Sequence, residues 1–242
     1  MSSRKIVVTG ILGAITIVLG MTPLGFIPLG ILNATTMHIP VIVAAIVEGP
    51  IVGAIVGLIF GLSSLGKALT SPGPMAPIFY NPLISVVPRI LIGITTYYTY
   101  KMLRGIDQER LRRLSYVIWT IISGMLIYTM VKNYQSDLSK YNLFLLCILT
   151  IVSIGMLVYT YKRQKNNFAI VSAAFVGSMT NSILVMGGIY VIYAAKYMQM
   201  LGQDPANAGK AIMGVIVMQS LPEAIISCII VSAIIQGLRI DD

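Results

Sequence analysis

Between Lys5 and Lys101 the chain carries three charged residues, Glu48, Lys67 and Arg89, and the stretches between them are long apolar runs. A helix needs ~20 predominantly apolar residues to cross a ~30 Å hydrocarbon core, and several of these runs reach or approach that length. Of all 242 residues, 10% are charged and 57% are hydrophobic. A soluble domain carries about 25% charged residues, so this chain cannot clothe a water-facing surface of its size. The sequence predicts an all-α fold, a polytopic helix bundle in the cell membrane. The net charge of +9 then concerns orientation in the bilayer, and no nucleic acid is implied. Cys147 and Cys228 lie inside apolar runs, without CxxC or Cys/His metal spacing, and are read as packing residues. The N-terminal Ser-Ser-Arg-Lys and its apolar run look superficially like a secretory signal. Further hydrophobic segments keep following, so the run is read as a first, retained helix.

Apolar runs bounded by Pro, Gly and charge predict eight spans, at about 6–22, 31–47, 50–66, 82–103, 114–131, 143–161, 168–195 and 209–238. Residues 24–30 are apolar but broken by Pro28 and two glycines. An unpaired backbone in lipid costs several kcal/mol per group, so they are expected as a loop folded against protein. Residues 67–81 hold three prolines and are expected as a second loop. With the N-terminus inside, eleven lysines and arginines fall on the cytoplasmic side, from Arg4 and Lys5 to Arg239. Five fall outside: Lys67, Lys132, Lys140, Lys196 and Lys210. That bias places both termini in the cytoplasm.

Small residues mark close packing. Gly49, Gly53, Gly57 and Gly61 repeat every fourth residue, which lines one helix face and lets a neighbour approach backbone to backbone. Internal packing is the expected use. Gly10 and Ala14 stand four apart in the first span, where spacing alone also favours internal packing.

Ionisable and amide groups inside spans need a reason, because lipid does not solvate them. His38 sits beside Pro40, Arg89 follows Val87-Pro88, and Glu223 follows Pro222. Broken helices are common at transporter binding sites. With Asn181 in mid-span, and with Tyr80 and Asn81 closing the second loop, these residues predict one polar pocket opening outward. Arg89 would bind an anionic group such as a carboxylate. His38, Asn81 and Asn181 would serve hydroxyls or amides, and Glu223 would accept from ligand hydroxyls or hold Arg89. The competing reading is a buried Arg89–Glu223 ion pair, with the amides and the histidine tying helices together. Glu48, in a tight turn, is expected to be an ordinary solvated or capping acid.

Several motifs together carry a resemblance: Asn33-Ala34-Thr35-Thr36-Met37-His38-Ile39-Pro40-Val41, Glu48-Gly49-Pro50 with the glycines up to Phe60-Gly61, and Val87-Pro88-Arg89-Ile90-Leu91. To these add Gly177-Ser178-Met179-Thr180-Asn181, Gly187-Gly188-Ile189-Tyr190 and Leu221-Pro222-Glu223-Ala224. In these the chain resembles the substrate-binding S components of energy-coupling factor (ECF) vitamin transporters, and most nearly the pantothenate branch. The resemblance implies a six-helix core that binds its vitamin near the outer face, under loops that would here be 23–33 and 67–81. It implies a membrane scaffold subunit and two cytoplasmic ATPases as partners, and no cofactor. It also implies that the Gly10/Ala14 pair docks on the scaffold. The core would occupy 1–103 and 167–242, with 104–166 an inserted two-helix hairpin that leaves the polarity of later helices unchanged.

No GxxxxGK[ST] phosphate loop is present, so energy from ATP must come from partners. A single histidine excludes HExxH, and GxSxG is absent, so no enzyme is expected. The alternatives are an S component for another vitamin (riboflavin, folate, lipoate or cobalamin) or a stand-alone secondary transporter.

Overall fold

A computed structural model describes residues 1–22, 25–29, 32–70, 75–106, 108–134 and 167–238, together with several positions between 147 and 158. Three of its helices are long and apolar enough to cross a membrane: Ser3–Met21, Pro50–Thr70 and the stretch Phe168–Met200.

Helix α1 (Ser3–Met21) buries Gly13, Thr16 and Gly20 and exposes most of the rest. Thr16 spends its hydroxyl on the carbonyl of Leu12 at 2.8 Å, so its burial leaves no polar group unmet. A short antiparallel hairpin follows, β1 (Phe26–Leu29) against β2 (Leu32–Thr35), in register from Phe26 opposite Thr35 to Leu29 opposite Leu32. This corrects two expectations. Phe26–Leu29 of the broken apolar segment is strand, because pairing satisfies backbone groups that a loop would leave bare. The second span begins at Ile39, eight residues later than expected. Pro40 stands in its first turn, where a missing N–H costs nothing.

Helix α2 (Ile39–Glu48) is thus ten residues, about 15 Å at 1.5 Å each, and too short to cross a bilayer. From Ile39 to Ile46 every side chain is buried. It is apolar all round because helices surround it on all sides. Gly49, with φ of 99°, turns the chain sharply into α3 (Pro50–Thr70). Gly49 is therefore a turn residue and leaves the glycine ladder with three rungs. Those three do face one partner, α6 (Val87–Arg104). A Cβ on Gly53 would lie 3.0 Å from Gly93 Cα, besides 2.7 Å from Ala45 Cβ of α2, and one on Gly61 would lie 2.7 Å from Val86 Cα at the start of α6. One on Gly57 would strike the carbonyl of Arg89.

The stretch expected as one loop and one span is subdivided. Helix α3 continues to Thr70, and two single turns, α4 (Ala76–Phe79) and α5 (Pro82–Ser85), precede α6. Helix α7 (Gln108–Tyr134) buries Trp119, Ile122 and Leu126 against the core. Ser123 bonds Ser153 at 2.9 Å across to the helical positions of 147–158. The remainder of the expected span 143–161 lies outside the described residues. Helix α8 (Asn167–Met200) is long and loses helical geometry at Tyr193. The last expected span is three pieces: α9 (Ala208–Val215), a π-helical turn over Ile216–Ser220, and α10 (Leu221–Gly237). Pro222 lacks the N–H that would continue a regular ladder, which is why the irregular turn falls directly before it.

Candidate functional site

The hairpin-proximal halves of α2, α6, α8 and α10 bring the predicted polar residues together. Two contacts fix the level at which these helices face each other. Gly177 of α8 meets both Thr96 of α6 and Ile42 of α2, and Thr95 bonds Thr180 at 3.1 Å. His38 is one helical turn from Ile42 toward the hairpin, and Asn181 is one turn from Gly177 in the same direction. Arg89 is two turns from Thr96, again toward the hairpin.

Arg89 is 6% exposed. One of its terminal nitrogens donates to the carbonyl of Ile84, which the break between α5 and α6 leaves available. Its guanidinium carbon lies 5.4 Å from the Phe60 ring centroid and 5.8 Å from that of Phe79. Nε has no partner. Among the described residues the ion pairs are Arg4–Glu48 and Arg113–Glu109, so Arg89 and Glu223 do not pair. Glu223 is instead held from the hairpin: its Oε1 accepts from the Thr35 backbone N–H at 2.9 Å and from Gln219 Nε2 at 3.3 Å.

His38 is wholly buried, and its Nε2 lies 2.6 Å from Ser227 Oγ. The Ser227 hydroxyl donates to the carbonyl of Glu223 at 2.9 Å. With that proton committed, Oγ can only accept from the ring, which places the imidazole proton on Nε2. Nδ1 is then a bare acceptor, and among the described residues it has no partner. Asn181 Oδ1 is a second buried acceptor without one, and the hydroxyls of Thr96 and Ser178 are likewise buried and unpartnered. An unmet buried polar group costs about 1–3 kcal/mol. Several on neighbouring helices, spread over about two helical turns, are what a polar solute would satisfy.

The other predicted residues stand at the margin. Asn81 caps α5 by accepting from Leu83 N at 3.0 Å, and its amide nitrogen lies 3.4 Å from Tyr193 Oη. Tyr80 is 41% exposed and turned outward. Gly10 and Ala14 lie on the exposed face of α1, with nothing within 4 Å of a Cβ built on Gly10. Glu48, expected to be ordinary, is largely buried and paired with Arg4 at 2.7 Å.

Sequence reasoning missed Thr35, Phe60, Thr96, Ser178 and Ser227. Helical spacing carries a signal for some of them, since Thr96 is seven residues from Arg89 and Ser227 four from Glu223.

Fold and site together define a membrane-embedded component with a buried polar cluster under a hairpin. The family model described as "ECF transporter, substrate-specific component" matches residues 4–145 and 121–235, and the chain belongs to that family. It is a transporter's substrate-binding component rather than an enzyme, and the family implies a small-molecule substrate and an ECF scaffold with an ATPase module. A search of curated proteins gave no match.

Proposed function

We propose that the chain captures a small water-soluble vitamin, pantothenate as the leading candidate, and delivers it through an ATP-driven ECF complex of a scaffold and two ATPases. One observation carries this reading: among the described residues the buried Arg89 lacks a carboxylate, while the buried His38 Nδ1 and Asn181 Oδ1 on neighbouring helices lack donors. The cluster offers a cation to an acid and two acceptors to hydroxyls or amide N–H groups. A small hydroxylated amide acid presents that set. A ring vitamin would need stacking surface, but Tyr80 and Tyr190 are 41% and 51% exposed, and Phe60 and Phe79 are engaged by Arg89.

In this reading the chain makes eight passages, the second by the short α2 together with the hairpin before it, with 104–166 an inserted hairpin and both termini in the cytoplasm. Capture is from the hairpin side, and Gly10 and Ala14 meet the scaffold. Native mass spectrometry of the gently purified chain, followed by calorimetry with pantothenate, tests the ligand. A copurified vitamin of another class would replace pantothenate and leave capture standing. Reconstitution in liposomes with and without the ATPase module tests the mode. Uptake by the chain alone, driven by a proton or sodium gradient, would make it a secondary transporter instead.

A further inference from the structure

On the face opposite the hairpin, a cavity of about 490 Å³ opens where α2 ends, α3 begins and α6 finishes. Glu48, Tyr97, Tyr100, Lys101 and Arg104 line it. The Glu48 carboxylate is buried in the wall and is answered by Arg4 at the exposed rim, 2.7 Å away. The Lys101 ammonium stands 5.9 Å over the Tyr97 ring, and the Arg104 guanidinium 5.9 Å over the Tyr100 ring. Among the described residues, neither cation has a carboxylate within ion-pair distance. Setting Arg4 against Glu48 leaves two positive charges beside a hollow of solute size.

The place of this cavity says what it would take. It lies where α3 begins and α6 ends, and the ends of membrane-crossing helices stand near the headgroup layer. Tyr97, Tyr98 and Tyr100 form the kind of aromatic belt that settles at a membrane interface. Tyr98 and Met102 are 58% and 64% exposed on the flank of α6, leaving an apolar path down which acyl chains can run. Basic cavities between helix ends on the cytoplasmic side suit anionic headgroups. Basic residues in the last turn of α6 also complement its dipole, but that accounts for their sign and not for the hollow they border.

We propose that this cavity binds the phosphate of an anionic phospholipid, with Lys101 and Arg104 as its cationic contacts. The inference does not depend on which solute the other face captures. The test is native mass spectrometry of the full chain, released from nanodiscs of equal parts dioleoylphosphatidylglycerol and dioleoylphosphatidylcholine. The wild-type chain is expected to retain the anionic lipid preferentially. The double variant Lys101→Gln/Arg104→Gln should lose that preference by roughly thirtyfold, at about fivefold per charge. Arg113→Gln removes an exposed cation already paired with Glu109, outside the cavity, and should shift it less than about twofold. Equal retention of both lipids by the wild-type chain would overturn the proposal whether or not the variant folds. So would equal losses in the control and the double variant. Displacement of the lipid by glycerol 3-phosphate or inorganic phosphate at matched concentration would mark a soluble-phosphate site, and preference for an acidic peptide would mark a protein contact. Either result would sink the lipid assignment.

Discussion

Replacing Arg89 by Met separates ligand binding from stability, because the two should move in opposite directions. Methionine keeps most of the side-chain volume and removes the charge. In the ligand-free chain the guanidinium has one carbonyl, that of Ile84, and two aromatic faces. A hydrogen bond to a charged group contributes about 1.5–3 kcal/mol, and each cation–π contact about 0.5–2 kcal/mol. Against these stands a desolvation cost of several kcal/mol for a buried ion. The terms nearly cancel, so the ligand-free protein should be as stable as the wild type, or more so. The bound state is different, since a ligand carboxylate would turn an unpaired charge into a pair. Removing one member of a buried pair costs about 2–5 kcal/mol, which is roughly thirtyfold to several thousandfold in affinity. Calorimetry with pantothenate and thermal unfolding without it measure the two effects. Arg89→Lys should fall between, keeping the charge but losing the planar fork that matches a carboxylate. The reasoning is refuted if Arg89→Met unfolds the ligand-free protein many degrees earlier while affinity is unchanged, since Arg89 would then be a packing device.

Three further outcomes are expected. Gly57→Ala places a Cβ on the Arg89 carbonyl, where no flexible atom can yield, and should cost about 1–3 kcal/mol in thermal unfolding while weakening solute binding; wild-type affinity in a well-folded variant would break the link between ladder and site. Glu223→Ala removes the acceptor for the Thr35 N–H, and the lost anchoring of about 1–3 kcal/mol should appear as faster amide hydrogen exchange at Thr35. Unchanged exchange there would detach the hairpin from Glu223. Gly10→Leu should leave solute binding intact and lower uptake by the assembled complex, because Gly10 faces away from the chain's own core; full uptake would remove that face from the scaffold contact.

Much of the bundle was legible because lipid leaves a coarse signature: long apolar runs, and prolines at helix starts, as at Pro40, Pro50, Pro82, Pro88 and Pro222. The hairpin over Phe26–Leu29 and Leu32–Thr35 was not, since an apolar run of that length carries the same composition as a strand or as the start of a helix. The start of α2 is illegible for a related reason: residues 31–38 mix Ile31, Leu32 and Met37 with small polar residues that a span also tolerates. At the site, Arg89, His38, Asn181 and Glu223 stood out because each is expensive in lipid. Thr96, Ser178 and Ser227 did not, because hydroxyls can return to their own helix, as Thr16 does to Leu12. Which hydroxyls stay unpaired is decided by neighbouring helices. Asn81 and Glu48 show the converse, a cap and a buried ion pair that only the assembled turns define.

The two sides of the site differ in what a solute must displace. Toward the hairpin, the described hydrogen bond between β2 and α10 runs from the Thr35 backbone N–H to the Glu223 carboxylate, and a single bond of about 1–3 kcal/mol opens readily at ambient temperature. Toward the other face the helices close on each other: Thr96 and Ile42 fill the notch at Gly177, and Gly53 meets Gly93 backbone to backbone. Interiors packed this way yield in discrete steps, not by gradual deformation. On the proposed function, a solute held by Arg89 would exchange on the hairpin side, and reaching the opposite face would require the bundle to be moved or rearranged as a body. The sequence contains no phosphate-binding loop to drive such a movement, so the asymmetry of the packing leads to the same partners that the family implies: an energised module acting from outside the chain.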